Sequence, residues 1–277
     1  MDVAVLEIGG SHVTAAMVTP ATWDVTEVDR AKLESQEAAE VVVGQLADAA
    51  RKLPLANGLA IALPGPFDFG TGVAWYRGQG KFDQLYGFNL GAALSAELGT
   101  DRLLFVNDAE AFTVGEWTAG EVRGVERCLG VTIGTGIGTA FLADGRVVRE
   151  GETVPPGGEL YKTTYAGKPL EDSISARAIL RAYADRTGLE APGVKEIADL
   201  ARAGDPTAQE VLVTAFAHLS AALIPWLERF GVTHTVLGGS ISGAFDLVHS
   251  SLAFPASATQ DTEHSALIGA AAHYLRS

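Results

Sequence analysis

The chain has 277 residues, 47% of them hydrophobic, with a mean hydropathy of +0.18, which is enough for one large or two modest packed domains. A formal charge of −14, from 20 Lys and Arg against 34 Asp and Glu, argues against general binding to nucleic acid or to an anionic membrane, since both need clustered cations. Cys128 is the single cysteine, so no disulfide within the chain and no cysteine-based metal cage can form, and its apolar neighbours predict a buried, inert thiol.

The N-terminus begins at once with strand residues and lacks the basic segment and apolar core of an export signal, so a cytoplasmic protein is expected. Residues 3–18 are an apolar β-type run, a turn at Gly9-Gly10-Ser11 and a second apolar run that does not become helical. A third strand is expected near 24–30. Leu33 to Leu53 then carries Val41, Val42, Leu46, Ala49 and Leu53 at helical spacing, and Leu59 to Leu63 returns to strand before the break Pro64-Gly65-Pro66. Residues 65–89 mix Gly, aromatics and polar groups without a period, the signature of a functional loop. A helix is predicted over 90–98, a strand over 103–106 and a helix over 109–117, just after Asp108.

The second half opens like the first. Leu129 to Leu142 is again strand, glycine turn (Gly134-Thr135-Gly136) and strand. Helices follow near 170–187, 194–203 and 206–230, then a strand over 233–237, Gly238-Gly239, a helix from about 242 and a last helix over 265–275. No apolar run reaches the roughly 18 residues of a membrane helix, because the stretch from Ala208 to Phe230 carries Glu210, His218, Glu228 and Arg229. Two α/β halves opened by one device imply a duplicated architecture with a ligand held between them.

Glycine at the apex of a strand-turn-strand unit lets backbone N–H groups point into one concavity that suits phosphate oxygens, although a plain β-hairpin uses glycine for its dihedrals alone. The segment 134–138 lacks the spacing of the dinucleotide fingerprint and is followed by a strand where that motif needs a helix; no P-loop pattern occurs. Asp108 ends an apolar strand, where a rigidly placed carboxylate can take a proton from a hydroxyl nucleophile or serve as a helix N-cap. The six His, at 12, 218, 234, 249, 264 and 273, show no ligand spacing.

The series Leu-Glu-Ile-Gly-Gly-Ser, Leu-Pro-Gly-Pro, Val-Asn-Asp-Ala-Glu-Ala, Ile-Gly-Thr-Gly-Ile-Gly, Gly-Gly-Glu-Leu, Leu-Glu-Asp-Ser-Ile-Ser and Val-Leu-Gly-Gly-Ser-Ile-Ser, in this order, resembles the ROK family of sugar kinases, repressors and open reading frames over about residues 3–275. The resemblance implies an α/β fold of two duplicated ribonuclease H-like (actin-like ATPase) domains with mixed five-stranded sheets and an interdomain cleft. Residues 1–110, joined by the C-terminal helix 265–277, would form the N-terminal domain and 111–264 the C-terminal one. It further implies that Gly9, Gly10 and Ser11 form a first phosphate loop, that Gly134, Thr135 and Gly136 form a second, and that Gly238 and Gly239 lie against the nucleoside of ATP. Asp108 would be the catalytic base. Asn107, Glu159 and Glu171 would contact sugar hydroxyls, with Pro64 and Gly65 bordering the pocket.

Two departures matter. Where the family commonly has a His and three Cys holding zinc, this chain has Lys162 and no Cys, so the resemblance is to a zinc-less variant and no zinc site is expected. Lys162 would stand in the pocket, binding a hydroxyl or favouring a substrate with a negative group. Glu7 replaces the family's usual Asp, and one extra methylene displaces the carboxylate that in the family sits near Mg²⁺, so either the ion is held through a differently placed water or activity is weakened. The expected function is ATP- and Mg²⁺-dependent phosphorylation of a primary hydroxyl of a hexose-like sugar. A kinase for a cyclitol or other polyol, a non-catalytic sugar sensor, inorganic polyphosphate as donor and a homodimer all stay open.

Overall fold

The computed structural model describes residues 1–277, which divide into two units, 1–119 with 263–277, and 120–262. In chain order the strands and helices are β1 (Val3–Ile8), β2 (His12–Thr19), β3 (Asp24–Lys32), α1 (Ala39–Ala50), β4 (Leu59–Leu63), β5 (Phe67–Asp68), β6 (Val73–Ala74), α2 (Leu90–Leu98), β7 (Leu103–Asn107), α3 (Asp108–Ala119), β8 (Arg127–Ile133), β9 (Ile137–Ala143), β10 (Arg146–Val148), β11 (Thr164–Tyr165), β12 (Lys168–Pro169), α4 (Glu171–Ile174), α5 (Ala176–Thr187), α6 (Val194–Arg202), α7 (Pro206–Phe230), β13 (His234–Gly238), α8 (Phe245–Val248), β14 (Ala256–Ala258) and α9 (Thr262–Tyr274).

The first unit is built on a five-stranded sheet of order β3-β2-β1-β4-β7. The run β1-β2-β3 is antiparallel, whereas β1, β4 and β7 are parallel to one another. Strand β4 is buried along its whole length, so Leu-Ala-Ile-Ala-Leu reads as a continuous apolar run rather than an alternating one. Leu6, Ile8, Ile61 and Phe105 pack with residues of α1 and α2 in one core. The opposite pleat of β1 carries Glu7, which pairs across the strands with Thr14, itself paired with Arg30.

Helix α3 belongs to this first unit, which moves the expected boundary from 110 to 119. The cause is its crossing with α9. A Cβ added at Gly115 would collide with the carbonyl of Ser265, and one at Gly269 with the carbonyl of Ala111, so the two backbones touch where both helices carry glycine. Ser265 donates from Oγ to Glu116 Oε1 at 2.6 Å in the same contact.

The second unit repeats the plan, with the sheet order β10-β9-β8-β13-β14. Here β8-β9-β10 is antiparallel and β8, β13 and β14 are parallel. The two sheets therefore have one topology, as expected for duplicated ribonuclease H-like domains. Its core includes Leu129, Val131, Phe141, Ile179, Ile197, Phe216, Leu219 and Leu237. Asp205 caps α7 by accepting from Thr207 N (2.8 Å) and Ala208 N (3.0 Å), Pro206 occupies the first turn, and Gly231 ends the helix at φ +75°.

Contrary to the expectation that no run here is long and apolar enough to span a membrane, α7 is so by length and composition. Val211, Leu212, Ala215, Phe216, Leu219, Leu223 and Leu227 are nevertheless buried in the unit's own core. The helix expected from 170 to 187 is broken into α4 and α5 by Ser175, which adopts extended dihedrals and caps α5 by accepting from Ala178 N. The helix expected from 242 is a series of short turns around α8.

Candidate active site

In the first unit, the C-terminal ends of three neighbouring parallel strands deliver the sequence-predicted residues to one edge of one sheet. Strand β1 leads into Gly9-Gly10-Ser11, β4 into Pro64-Gly65, and β7 into Asn107-Asp108; Glu7 is in register with Ala62, and Leu63 with Asn107. This edge is where open α/β sheets bind ligands, because the chain leaves the sheet there in turns and helix N-termini.

The three-residue turn 9–11 is closed by Gly9 N donating to His12 O at 2.9 Å. Ser35 donates from Oγ to Gly10 O, and Leu33 N donates to Ser11 O at 2.9 Å, so the turn is anchored from outside β1 and β2. The imidazole of His12 lies over Gly9, and the aliphatic chain of Lys81 lies over Gly10: a Cβ on either glycine would meet them at 2.8 and 3.2 Å. A small backbone turn with a lysine beside it suits an anionic ligand. Lys81 was invisible to motif reading, since it comes from the irregular loop of residues 65–89.

Glu7 is the electrostatic centre of this edge. Its Oε2 is buried and accepts no hydrogen bond. Burial first, then the negative charges of Glu263 and Asp108, push its carboxyl up to about 8, against the opposing pull of Arg30 and Lys81. Glu263, in the first turn of α9, receives Thr14 Oγ1 and Arg30 Nη1 on its Oε1 and faces His12 Nε2 with its Oε2 at 3.2 Å. The spacing of His residues along the chain gave no sign of this convergence, because Glu263 reaches it only through the packing of α9.

Asn107 and Asp108 both accept backbone N–H groups at the start of α3. Asn107 Oδ1 caps α3, accepting from Ala109 N (3.0 Å) and Glu110 N (3.2 Å). Asp108 is the first residue of α3, and its Oδ1 accepts from Ala109 N at 2.8 Å. Beside them Tyr76, almost wholly buried, donates its hydroxyl to Pro64 O at 2.6 Å. Burial and then the charge of Asp108 push the Tyr76 phenol well above its usual range, so it stays a neutral donor that fixes Pro64. Tyr76 too was missed, as one aromatic among several in a loop without a period.

In the second unit Gly134-Thr135-Gly136 is a three-residue turn closed by Gly134 N to Gly136 O at 2.9 Å, and Gly134 O accepts Ala176 N from the start of α5 at 2.8 Å. Glu171 lies against it: its Oε1 accepts Ile137 N at 2.9 Å, and a Cβ on Gly136 would strike that oxygen. Gly238, the last residue of β13, is in register with Thr132 of β8. Gly239 has φ +85°, and a Cβ there would overlap the backbone of Ile133, so this position is glycine because it packs against the base of the second turn. Gly239 N donates to Thr262 Oγ1 at 2.7 Å.

Glu159 and Lys162 form an ion pair. Burial works against the Lys162 charge, and the hydrogen bond and charge of Glu159 outweigh it, raising the ammonium's pKa. The pair sits at Gly157 (φ +72°), where a Cβ would meet Glu159 Oε2 at 2.9 Å and Lys162 Nζ at 3.3 Å. Thr139 of β9 holds this segment by donating to Gly158 O (2.8 Å) and accepting from Leu160 N (3.0 Å). The stretch that would carry three cysteines in a zinc cage is instead a hairpin of β11 and β12, turned at Ala166 (φ +50°) and Gly167 (φ +77°) and closed by Leu170 N to Thr163 O at 3.2 Å.

Two sheets of one topology, each opened by a glycine turn, with a carboxylate at the end of a buried strand, define an actin-like ATPase-fold protein. The model of the ROK family matches residues 3–274, and the chain belongs to that family. A β-glucoside kinase of Listeria monocytogenes is 25% identical over 254 residues, 87% of this chain and 83% of that one. The crystal structure of a ROK hexokinase from Thermus thermophilus is 25% identical and superimposes with a TM-score of 0.77 over 100% of this chain and 99% of that chain. A ROK glucokinase from Streptomyces griseus, solved with glucose and AMPPNP, shares the fold at a TM-score of 0.79 and 19% identity, over 100% of both chains.

Proposed function

We propose that the chain, a carbohydrate kinase by its family and relatives, transfers the γ-phosphoryl group of ATP to a primary hydroxyl of a hexose-like sugar, with Asp108 as general base. The observation that carries this reading is the delivery of Gly9-Gly10, Pro64-Gly65 and Asn107-Asp108 to one sheet edge by three adjacent parallel strands. Asp108 takes the proton of the attacking hydroxyl as its oxygen bonds to the γ-phosphorus and the bond to the bridging oxygen of ADP breaks. The Asn107 amide orients a neighbouring hydroxyl, and Tyr76 holds the Pro64 carbonyl so that the wall of the pocket is rigid. Backbone N–H groups of the turns at 9–11 and 134–136, and the Lys81 ammonium, receive phosphate oxygens.

Glu159 and Glu171 are proposed to receive sugar hydroxyls, and Gly238-Gly239 to border the nucleoside. Lys162 already has Glu159 as its counter-charge, which favours a neutral sugar over an anionic one. The buried, unpartnered Oε2 of Glu7 fits a divalent cation, and Glu7 is the residue that would hold the Mg²⁺ of MgATP, directly or through water. When bound, the ion neutralises charge on the phosphates.

The test is ADP release from MgATP by the full chain against a panel of hexoses, amino sugars, cyclitols and acyclic polyols. Sugar-dependent release with a hexose is the expected result. Release with cyclitols alone would move the acceptor class, and no acceptor-dependent release with any of them would contradict the reading.

A further inference from the structure

Around Glu7, the residue proposed above to hold the cation of MgATP, three side-chain atoms of the first unit converge, two of them from residues given no part in phosphoryl transfer. His12 Nε2 lies 3.2 Å from Glu263 Oε2 and 3.7 Å from Glu7 Oε2, and the three atoms all lie within 4.8 Å of one another. Ligand atoms about 2.1 Å from one ion and roughly 90° to 110° apart are separated by about 3.0 to 3.4 Å, and the two edges that His12 makes lie in or near this range.

The partners of each residue leave the inner atoms available. Glu263 spends its Oε1 on Thr14 and Arg30, which turns Oε2 toward the imidazole. Glu7 Oε2 is buried and accepts no hydrogen bond, so in its ionised form this carboxylate lacks a compensating donor. Asp108 adds a further negative charge at Glu7, against the opposing charges of Arg30 and Lys81.

We propose that Glu7, His12 and Glu263 form a site for one divalent transition-metal ion of the Mn²⁺, Co²⁺ and Zn²⁺ class, which the protein holds without any nucleotide. One imidazole and two carboxylates are a mixed nitrogen and oxygen donor set. That set suits these ions better than Mg²⁺, which prefers oxygen donors alone and gives up its waters reluctantly. The site is part of the chain's own fold: His12 leads β2, Glu7 sits two residues before the first glycine turn, and Glu263 opens α9. The His12 ring lies over Gly9 of that turn. The inference draws on the cation role proposed for Glu7, and it is tested without ATP or sugar so that it stands or falls apart from kinase activity.

The experiment titrates the chelator-treated full chain with Mn²⁺, reading free ion by electron paramagnetic resonance, and with Co²⁺, reading visible absorption. The expected result is one equivalent bound, at least tenfold tighter for Mn²⁺ than for Mg²⁺ in competition. His12→Asn should weaken binding tenfold or more and alter the Co²⁺ spectrum, and Glu263→Gln should weaken it similarly, with both variants keeping the wild-type circular dichroism and melting profile. His12 is part-exposed, so its substitution leaves the fold intact if Glu263→Gln does not. Absence of saturable binding below millimolar ion, equal affinity for Mg²⁺, or wild-type affinity in His12→Asn would each overturn the assignment.

Discussion

The carboxylate of Glu171 accepts the backbone N–H of Ile137 at 2.9 Å, so a residue at the start of α4 braces the second glycine turn. Under the proposed function, in which this turn receives phosphate oxygens and Glu171 a sugar hydroxyl, a change at this bond acts on both substrates. Glu171→Ala leaves a buried strand N–H without an acceptor, at a cost of about 1 to 3 kcal/mol, and is expected to raise the KM for ATP as well as for sugar. Glu171→Gln keeps an acceptor oxygen and should preserve the KM for ATP. Steady-state kinetics varying each substrate in turn measure this, and an unchanged KM for ATP in Glu171→Ala would refute the brace.

Two helix glycines should respond in opposite directions to the same change. Gly269→Ala drives a methyl into the Ala111 carbonyl at the α3–α9 crossing, and overpacking of this kind costs about 1 to 3 kcal/mol or more. Gly44→Ala in α1 meets nothing within 4 Å and gains the helix preference of alanine, worth about 0.5 to 1 kcal/mol. Urea unfolding of both variants decides the matter; a neutral Gly269→Ala would mean that the helices do not touch there.

Glu7 makes stability depend on pH in a stated direction. Its carboxyl is held at about 8 in the folded protein against an ordinary 4.5, so the folded state binds this proton more tightly than the unfolded chain. The contribution favours folding in full below about pH 4.5 and is lost as pH rises to about 8. Glu7→Gln has no such proton to lose. Without divalent cations, its stability relative to wild type should improve across that window, by at most about 1.4 kcal/mol per pH unit. Parallel curves of unfolding free energy against pH would contradict the placement of Glu7.

Cys128 in β8 is completely buried, and burial pushes its thiol up to about 12. The native protein should therefore resist iodoacetamide at pH 8 and react stoichiometrically in urea. Rapid alkylation of the native chain, followed by mass spectrometry, would show the second sheet to be open at this strand.

What the sequence displayed directly was whatever local pattern controls: the strands around both glycine turns, the long α7 between Asp205 and Gly231, and the strand that ends at Asn107. Strand β14 carries no apolar period and exists because its residues 256–258 pair with β13, a tertiary cause. Helix α1 begins at Ala39 rather than near Leu33, because Leu33 and Ser35 are tied to the first glycine turn. In the site, Asp108 and Glu7 lie in recognisable strand contexts, whereas Tyr76, Lys81 and Glu263 arrive from a loop without a period and from the far end of the chain. Their nearness to Pro64, Gly10 and His12 is a property of packing alone.

Asp108 is proposed as the base for transfer from ATP to a sugar hydroxyl. Its most direct test is the turnover number of Asp108→Asn, with the best sugar of the panel and saturating MgATP, in protein shown by circular dichroism to be folded. The account predicts a fall of about 10² to 10⁴ with the sugar's binding affinity little changed. Turnover within a few-fold of wild type would contradict it.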